Sequence, residues 1–99
     1  MNSLSEIESP GIVLVVDNDP DLLRAMERLI RSAKLSSRTF DGPRGLLMAE
    51  VPKSNACLLL DVYMPEMSGV ELYETLAASG HKLPVILITG RDDVETRRL

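Results

Sequence analysis

Three aspartates follow an apolar run near the start of the sequence, in the stretch VLVVDNDPD at residues 13–21. Asp17, Asp19 and Asp21 occupy every second position there, and a further aspartate, Asp61, closes a second apolar run, ACLLLD. Carboxylates placed in this way can bind a divalent cation, attack phosphorus as nucleophiles, or simply begin a helix. The choice among these chemistries depends on whether the fold brings Asp17 and Asp61 together.

The elements that position these aspartates alternate between strands and helices. Apolar strands are predicted in GIVLVVD, ACLLLD and LPVILITG, with a weaker strand in SSRTF. An amphipathic helix is predicted in DPDLLRAMERLIRSA, where Asp19 suits the N-cap and Pro20 the first helical position. Further helices are predicted in PRGLLMAEV, over residues 43–51, and in VELYETLAASG, which Gly80 ends. RDDVETRRL opens like another helix. Such alternation predicts a parallel sheet with helices on both faces.

The predicted sheet gives the aspartates a common edge. Ligands of open parallel sheets bind beyond the carboxyl ends of the strands, and Asp17 and Asp61 end the first and third strands. If those strands are neighbours, about 4.8 Å apart, the two carboxylates share one pocket and raise each other's pKa unless a cation lies between them. A site of a few hard oxygen ligands suits Mg²⁺. Thr89, which follows the fourth strand, could offer a hydroxyl at the same edge.

Other interpretations of the acidic run remain to be weighed. A calcium-binding loop needs glycine where Leu22 stands and has no proline inside, so Pro20 also argues against it. Asp17 and Asp19 resemble the strand-Asp-x-Asp motif of haloacid-dehalogenase-type phosphatases, but no lysine-plus-acid pair follows downstream. For Asp19 and Asp21, the favoured interpretation is a helix cap and a partner for the helix dipole.

Composition limits the classes of function. Ninety-nine residues make one domain, and 44% hydrophobic residues with only two tyrosines and one phenylalanine predict an aliphatic core. A net charge of −4 argues against nucleic-acid binding through the overall field. The lone cysteine excludes an internal disulfide, and no apolar run is long enough to span a membrane. These features predict a cytoplasmic domain over residues 11–99, preceded by a polar tail at residues 1–10.

Three motifs occur in order: VVDNDP, then LLLDVYMPEMSGVEL, then VILITG. Together they resemble the receiver domain of bacterial two-component response regulators, and most closely the FixJ-type transcriptional regulators. The resemblance implies a doubly wound parallel sheet of the flavodoxin or CheY-like type, with strand order 2-1-3-4-5. The family continues into a fifth strand that ends in a lysine and then a fifth helix. The expectation is therefore an incomplete receiver, truncated after the start of the fourth helix.

The resemblance also implies roles for particular residues. Asp61 would accept a phosphoryl group from a sensor histidine kinase. Mg²⁺ would be held by Asp17, by residue 18, by Asp61 and by the backbone carbonyl of Tyr63. Thr89 would sense the phosphoryl group. Because Asn18 stands where the family usually has an acid, weakened Mg²⁺ binding is expected. No enzymatic activity is expected beyond catalysis of the domain's own phosphorylation.

Two further expectations follow from the resemblance. Met64, Pro65 and Gly69 would shape the loop that directs Asp61 to the metal, and DNA would be bound only by an output domain outside this chain. A fourth strand without a fifth would present an apolar edge at residues 85–88, which favours self-association. The alternative function is that of a non-phosphorylated pseudo-receiver that works as a binding module.

Overall fold

Four strands alternate with three helices along residues 11–89, the part of the chain that the computed structural model describes. The predicted order of elements is confirmed over this range, whereas the polar tail and the helix start in RDDVETRRL lie outside it. The elements are β1 (Ile12–Val16), α1 (Pro20–Ser32), β2 (Ser36–Phe40), α2 (Pro43–Leu47), β3 (Ala56–Asp61), α3 (Gly69–Ala78) and β4 (Val85–Ile88).

The strands form one parallel sheet in the order β2-β1-β3-β4. This order agrees with the first four strands of the 2-1-3-4-5 arrangement that the resemblance implied. β1 lies between β2 and β3, and its last residue, Val16, is in register with Leu60 of β3. Val16 and Leu60 are each followed by an aspartate, so the register alone places Asp17 and Asp61 side by side at the carboxyl edge.

Each face of the sheet buries its own apolar cluster, because successive residues of a strand point to opposite faces. Helices α2 and α3 cover one face, and α1 covers the other, so the fold is doubly wound as predicted. The first cluster consists of Leu14, Val16, Leu46, Leu58, Leu60, Leu72, Leu76 and Leu83. The second consists of Val15, Leu23, Ile30 and Leu59.

Helix α1 begins as the sequence predicts. The side chain of Asp19 accepts hydrogen bonds from the backbone N–H groups of Asp21, at 3.0 Å, and Leu22, at 3.4 Å, and Pro20 is the first helical residue. These bonds satisfy two of the amide groups that a helix start leaves without partners. The favoured interpretation of Asp19 as a cap is therefore confirmed.

Helices α1 and α3 end in the same motif with different residues. Lys34 lies in the left-handed region, with φ of +64°, and the backbone N–H of Leu35 bonds back to the carbonyl of Ile30. The same pattern of hydrogen bonds ends α3, where Gly80 has φ of +94°. This is the Schellman arrangement, in which glycine avoids the steric cost that a residue with a Cβ incurs. The predicted stop at Gly80 is confirmed.

The predicted helix over residues 43–51 is wrong at its carboxyl end, because α2 stops at Leu47. Pro52 disfavours the helical conformation at the residue before it, and Gly45 weakens an already short helix. Val51 instead packs against the apolar cluster between the sheet and α3. Tertiary packing of Val51 therefore replaces the last turn of the predicted helix.

Candidate functional site

Asp17 and Asp61 converge in a cleft of about 550 Å³ at the carboxyl edge of the sheet. Asp17 follows Val16 and Asp61 follows Leu60, and these two residues pair between β1 and β3. Asp17 is only 2% exposed and Asp61 only 5%. Burying a carboxylate costs free energy unless its oxygens find partners. Two buried carboxylates in one cleft therefore mark a place where a positively charged partner would be stabilising.

The Asp17 carboxylate is held by one oxygen and leaves the other without a partner. Its Oδ1 accepts a hydrogen bond of 2.9 Å from the backbone N–H of Asp19. Its Oδ2 is buried and has no hydrogen-bond partner among residues 11–89. Burial raises the pKa of Asp17 above its ordinary value of 3.8, and the nearby charges of Asp61 and Asp19 raise it further, whereas the backbone hydrogen bond from Asp19 opposes the shift.

Asp61 is fixed through its own loop. Its Oδ1 accepts a hydrogen bond of 3.1 Å from the backbone N–H of Tyr63. The next residue, Val62, donates its N–H to the carbonyl of Ile88 at 2.8 Å and accepts at its own carbonyl from the N–H of Gly69 at 3.1 Å. The backbone beside Asp61 is thus tied both to β4 and to the start of α3.

A capping box fixes the far end of this loop. The Ser68 hydroxyl accepts from the backbone N–H of Glu71 at 3.1 Å, and the Glu71 carboxylate accepts from the backbone N–H of Ser68 at 2.9 Å. Together these bonds satisfy two amide groups at the start of α3. The sequence analysis missed this motif, although its Ser-x-x-Glu spacing before an apolar run is a recognisable signal.

Gly69 allows α3 to start directly against the end of β3. A Cβ at this position would overlap the backbone carbonyl oxygen of Asp61 and would lie 3.0 Å from the carbonyl carbon and 3.3 Å from the Cβ of Leu60. Glycine is therefore needed here for close approach rather than for an unusual dihedral angle. The contact gives a physical reason for the loop-shaping role that the resemblance implied for Gly69.

The remaining predicted residues divide into two groups. Asn18, Tyr63, Met64 and Pro65 line the cleft together with the two aspartates. Thr89 directly follows β4, is exposed, and is not among the residues that line the cleft. Other lining residues that the sequence analysis did not assign to the site are Asp19, Leu22, Val62 and Ser68.

A model of the response regulator receiver domain family matches residues 13–98 of the chain. The chain belongs to this family. Receiver domains are signalling modules that interact with histidine kinases and with output domains. The predicted family, fold class and receiver function are thereby confirmed, and the family match does not favour the dehalogenase-type phosphatase.

The relatives of this receiver domain are longer proteins. The response regulator protein TmoT of Ectopseudomonas mendocina is 34% identical over 87 residues, which cover 88% of this chain and 40% of TmoT. Nodulation protein W of Bradyrhizobium diazoefficiens is 34% identical over 90 residues, which cover 91% of this chain and 40% of that protein. The chain therefore spans about two fifths of the length of these curated relatives.

Solved structures show the same fold. The response regulator StyR, with 38% identity, superposes with a TM-score of 0.77 over 86% of this chain and 43% of StyR. The FixJ-N structure, with 27% identity, gives a TM-score of 0.74 over 85% of this chain and 67% of FixJ-N. The likeness to FixJ-type receivers inferred from the sequence motifs thus extends to the three-dimensional structure.

The residues of this receiver domain fit a magnesium ion. Receiver domains generally bind Mg²⁺ at the site of phosphorylation, and here the buried, unpartnered Oδ2 of Asp17 lines the same cleft as Asp61. Among residues 11–89 no lysine or arginine lines the cleft, and no three His, Cys, Asp or Glu side chains are grouped as metal ligands. A few hard oxygen ligands suit Mg²⁺, which keeps several waters.

Within residues 11–89, none of the helices has the length and apolar character needed to cross a membrane.

Proposed function

We propose that Asp61 of this receiver domain accepts a phosphoryl group from a phosphohistidine of a sensor histidine kinase. The observation that carries the proposal is the pair of buried carboxylates, Asp17 and Asp61, in one cleft without a cationic side chain among the described lining residues. Asp61 ends a strand at the edge where ligands of open parallel sheets bind. This position supports the proposal that the Asp61 carboxylate meets the incoming phosphoryl group.

The transfer exchanges one bond for another. An oxygen of the Asp61 carboxylate forms a bond to phosphorus while the phosphorus–nitrogen bond breaks, and the imidazole of the kinase keeps the electron pair of that bond. Mg²⁺ would be held by Asp17, the Asn18 amide oxygen, Asp61 and the backbone carbonyl of Tyr63. When bound, it offsets the negative charge on the transferring group. The Tyr63 N–H, which already bonds to Asp61, keeps that carboxylate oriented.

Thr89 and the loop after Asp61 would turn this reaction into a signal. Thr89 lies outside the cleft lining, so its hydroxyl would reach a phosphoryl oxygen only after Thr89 itself moves toward the cleft. Such a movement is a local electrostatic change that biases a two-state surface. Met64 packs against the apolar cluster beneath α3, and with Pro65 and Gly69 it would keep the loop fixed.

The test is phosphorylation by a small donor. The chain is incubated with acetyl phosphate and MgCl₂, and its intact mass is measured by mass spectrometry. We expect a gain of one phosphoryl group, lost in Asp61→Asn, which keeps the shape of the side chain but not its nucleophilic charge. The control, Glu74→Gln, neutralises an exposed carboxylate on α3 that lines neither the cleft nor the neighbouring cavity, and it should leave the gain unchanged. A gain that persists in Asp61→Asn would contradict the proposal.

A pseudo-receiver is the second candidate, and Asn18 is the observation that favours it. The neutral amide gives the cleft one negative charge fewer than the family pattern, which lowers the attraction for Mg²⁺. Such a module would bind its partner without accepting a phosphoryl group. Partner binding that is equal for the chain and for Asp61→Asn, together with no mass gain, would identify this second function.

For the whole protein, we propose a DNA-binding output domain beyond this chain and a cytoplasmic location. The relatives suggest this, since DctD of Pseudomonas aeruginosa is named as a transcriptional regulatory protein and is 34% identical over 95% of this chain. We also propose self-association through β4, where Ile86 and Leu87 are 54% and 43% exposed. Light scattering at rising concentration tests this, and a constant monomer mass would contradict it.

A further inference from the structure

Glu66 has a backbone conformation that residues with a Cβ rarely adopt. Its φ is +77°, and the flanking residues close a three-residue turn in which the N–H of Met67 donates to the carbonyl of Pro65 at 2.8 Å. A turn of this kind with positive φ at its centre is rare and strained, and glycine would avoid the cost. The chain places a charged side chain there instead, which raises the question of what the charge does.

Glu66 lines a second cavity next to the carboxylate cleft. This cavity, of about 390 Å³, is lined by Asn18, Asp41, Gly42, Pro43, Arg44, Gly45, Pro65 and Glu66. Asn18 and Pro65 also line the carboxylate cleft, so these two residues form the boundary between the two cavities. The charges around the second cavity are those of Asp41, Arg44 and Glu66, which sum to one negative charge.

At this boundary the carboxylate cleft has one negative charge fewer than the family pattern gives it. Asn18 is neutral, and Asp17 keeps a buried oxygen without a partner among the described residues. We propose that Glu66 strengthens Mg²⁺ binding in the carboxylate cleft through its charge, without touching the ion, and thereby partly offsets the neutral Asn18. The inference rests on the proposed function, because it takes Mg²⁺ as the occupant of that cleft.

Arg44 gives the inference an internal check. Arg44 lines the same second cavity, and its guanidinium forms no ion pair of 4.0 Å or less with a described acidic residue. A field effect on a divalent cation has the sign of the charge removed, whereas damage to the loop would weaken binding whichever residue is replaced. Neutralising Arg44 should therefore tighten Mg²⁺ binding, and neutralising Glu66 should weaken it.

The experiment titrates the complete 99-residue chain with MgCl₂ and follows backbone amide chemical shifts by NMR at low ionic strength. We expect Glu66→Gln to raise the Kd for Mg²⁺ about threefold and Arg44→Gln to lower it by a similar factor. The ratio of each variant's Kd to that of the unmodified chain should approach 1 near 1 M salt, where charges are screened beyond about 3 Å. Lys53→Gln, at the opposite edge of the sheet, is the control and should leave the Kd unchanged.

A third variant separates charge from backbone strain. Glu66→Gly should lose Mg²⁺ affinity as Glu66→Gln does, yet unfold at a higher urea concentration because glycine accepts the positive φ. The inference is overturned if Mg²⁺ binds with the same Kd in all variants. It is also overturned if Glu66→Gln and Arg44→Gln shift the Kd in the same direction. In both cases the proposed function stands. If the unmodified chain shows no Mg²⁺-dependent shifts, both are overturned.

Discussion

The carboxyl and amino edges of this one sheet carry opposite charges in different surroundings. At the carboxyl edge, Asp17 and Asp61 are buried in a cleft that no described basic residue lines. At the amino edge, a cavity of about 530 Å³ is lined by two exposed lysines, Lys53 and Lys82, above apolar residues such as Leu83. The lysines are solvated and cost little, whereas the buried aspartates are costly without a ligand. The candidate site therefore differs from the amino-edge cavity because its two like charges are buried, and not merely because it is charged.

Close packing is the first difference that a substitution can test. Gly69→Ala, at the carboxyl edge, would force a Cβ onto the Asp61 carbonyl, so we expect a loss of about 2–4 kcal/mol in the free energy of unfolding. Gly11→Ala, at the amino edge, would meet Asn55 atoms at 3.4 Å, an ordinary contact, and should change stability by less than about 0.5 kcal/mol. Urea unfolding measures both. Equal losses would break the contrast between a packed edge and an open one.

Buried charge is the second difference. Because the pKa of Asp17 is raised in the folded chain, its contribution to stability is fully present below its ordinary value of 3.8 and is lost as the pH rises through the raised value. Asp17→Asn cannot ionise, so without divalent cations it should be more stable than the unmodified chain at pH 7. This advantage should disappear toward pH 4.

The measurement is urea unfolding in EDTA at both pH values. Asp41→Asn, which neutralises an exposed aspartate near the same edge, is the control and should show little change at either pH. A destabilised Asp17→Asn at pH 7 would mean that the carboxylate is already compensated without a cation.

Metal affinity provides the third comparison. Asn18→Asp adds a negative charge beside the carboxylate cleft, so we expect the Kd for Mg²⁺ to fall about fivefold, equivalent to roughly 1 kcal/mol. Asn55→Asp adds the same charge to the amino-edge cavity, where Lys53 and Lys82 also lie, and should leave the Kd unchanged. Calorimetric titration measures both values, and equal affinities for the unmodified chain and Asn18→Asp would contradict the expected role of residue 18.

The smallest effect concerns the helix ends. Lys34 and Gly80 end α1 and α3 with the same hydrogen bonds, but only Gly80 has no Cβ to oppose its positive φ. Lys34→Gly should therefore stabilise the chain by about 0.5–1 kcal/mol, and Gly80→Ala should destabilise it by a similar amount. Thermal or urea unfolding resolves these changes. Neither substitution should alter Mg²⁺ binding, since neither residue lines the carboxylate cleft.

Strand periodicity and a general rule for parallel sheets predict that Asp17 and Asp61 lie at the same edge of the sheet. That their strands are neighbours was implied only by the family resemblance, and the strand order confirms it. The sequence also predicts the start of α1 because aspartate and proline act locally on the first backbone amides of the helix. These features are determined by short stretches of chain. The capping box of Ser68 and Glu71 belongs to the same class, since its spacing is visible in the sequence.

Other features depend on packing between distant segments, and the sequence analysis did not recover them. The early end of α2 follows from Val51 packing against a cluster built from several elements. The left-handed conformations of Lys34 and Glu66 carry no sequence signal, because neither residue is a glycine. The position of Thr89 outside the cleft lining depends on the path of the chain after β4, which strand periodicity does not specify.

The hydrogen bond between the Val62 amide and the Ile88 carbonyl joins the residue after Asp61 to the last residue of β4. A shift of the main chain at Asp61 would therefore pull mechanically on the neighbouring strand, just before Thr89. This hydrogen bond is made by main-chain atoms. Replacement of cleft side chains such as Tyr63 or Met64 would therefore leave this link between the loop and β4 in place, whatever it does to the proposed phosphorylation.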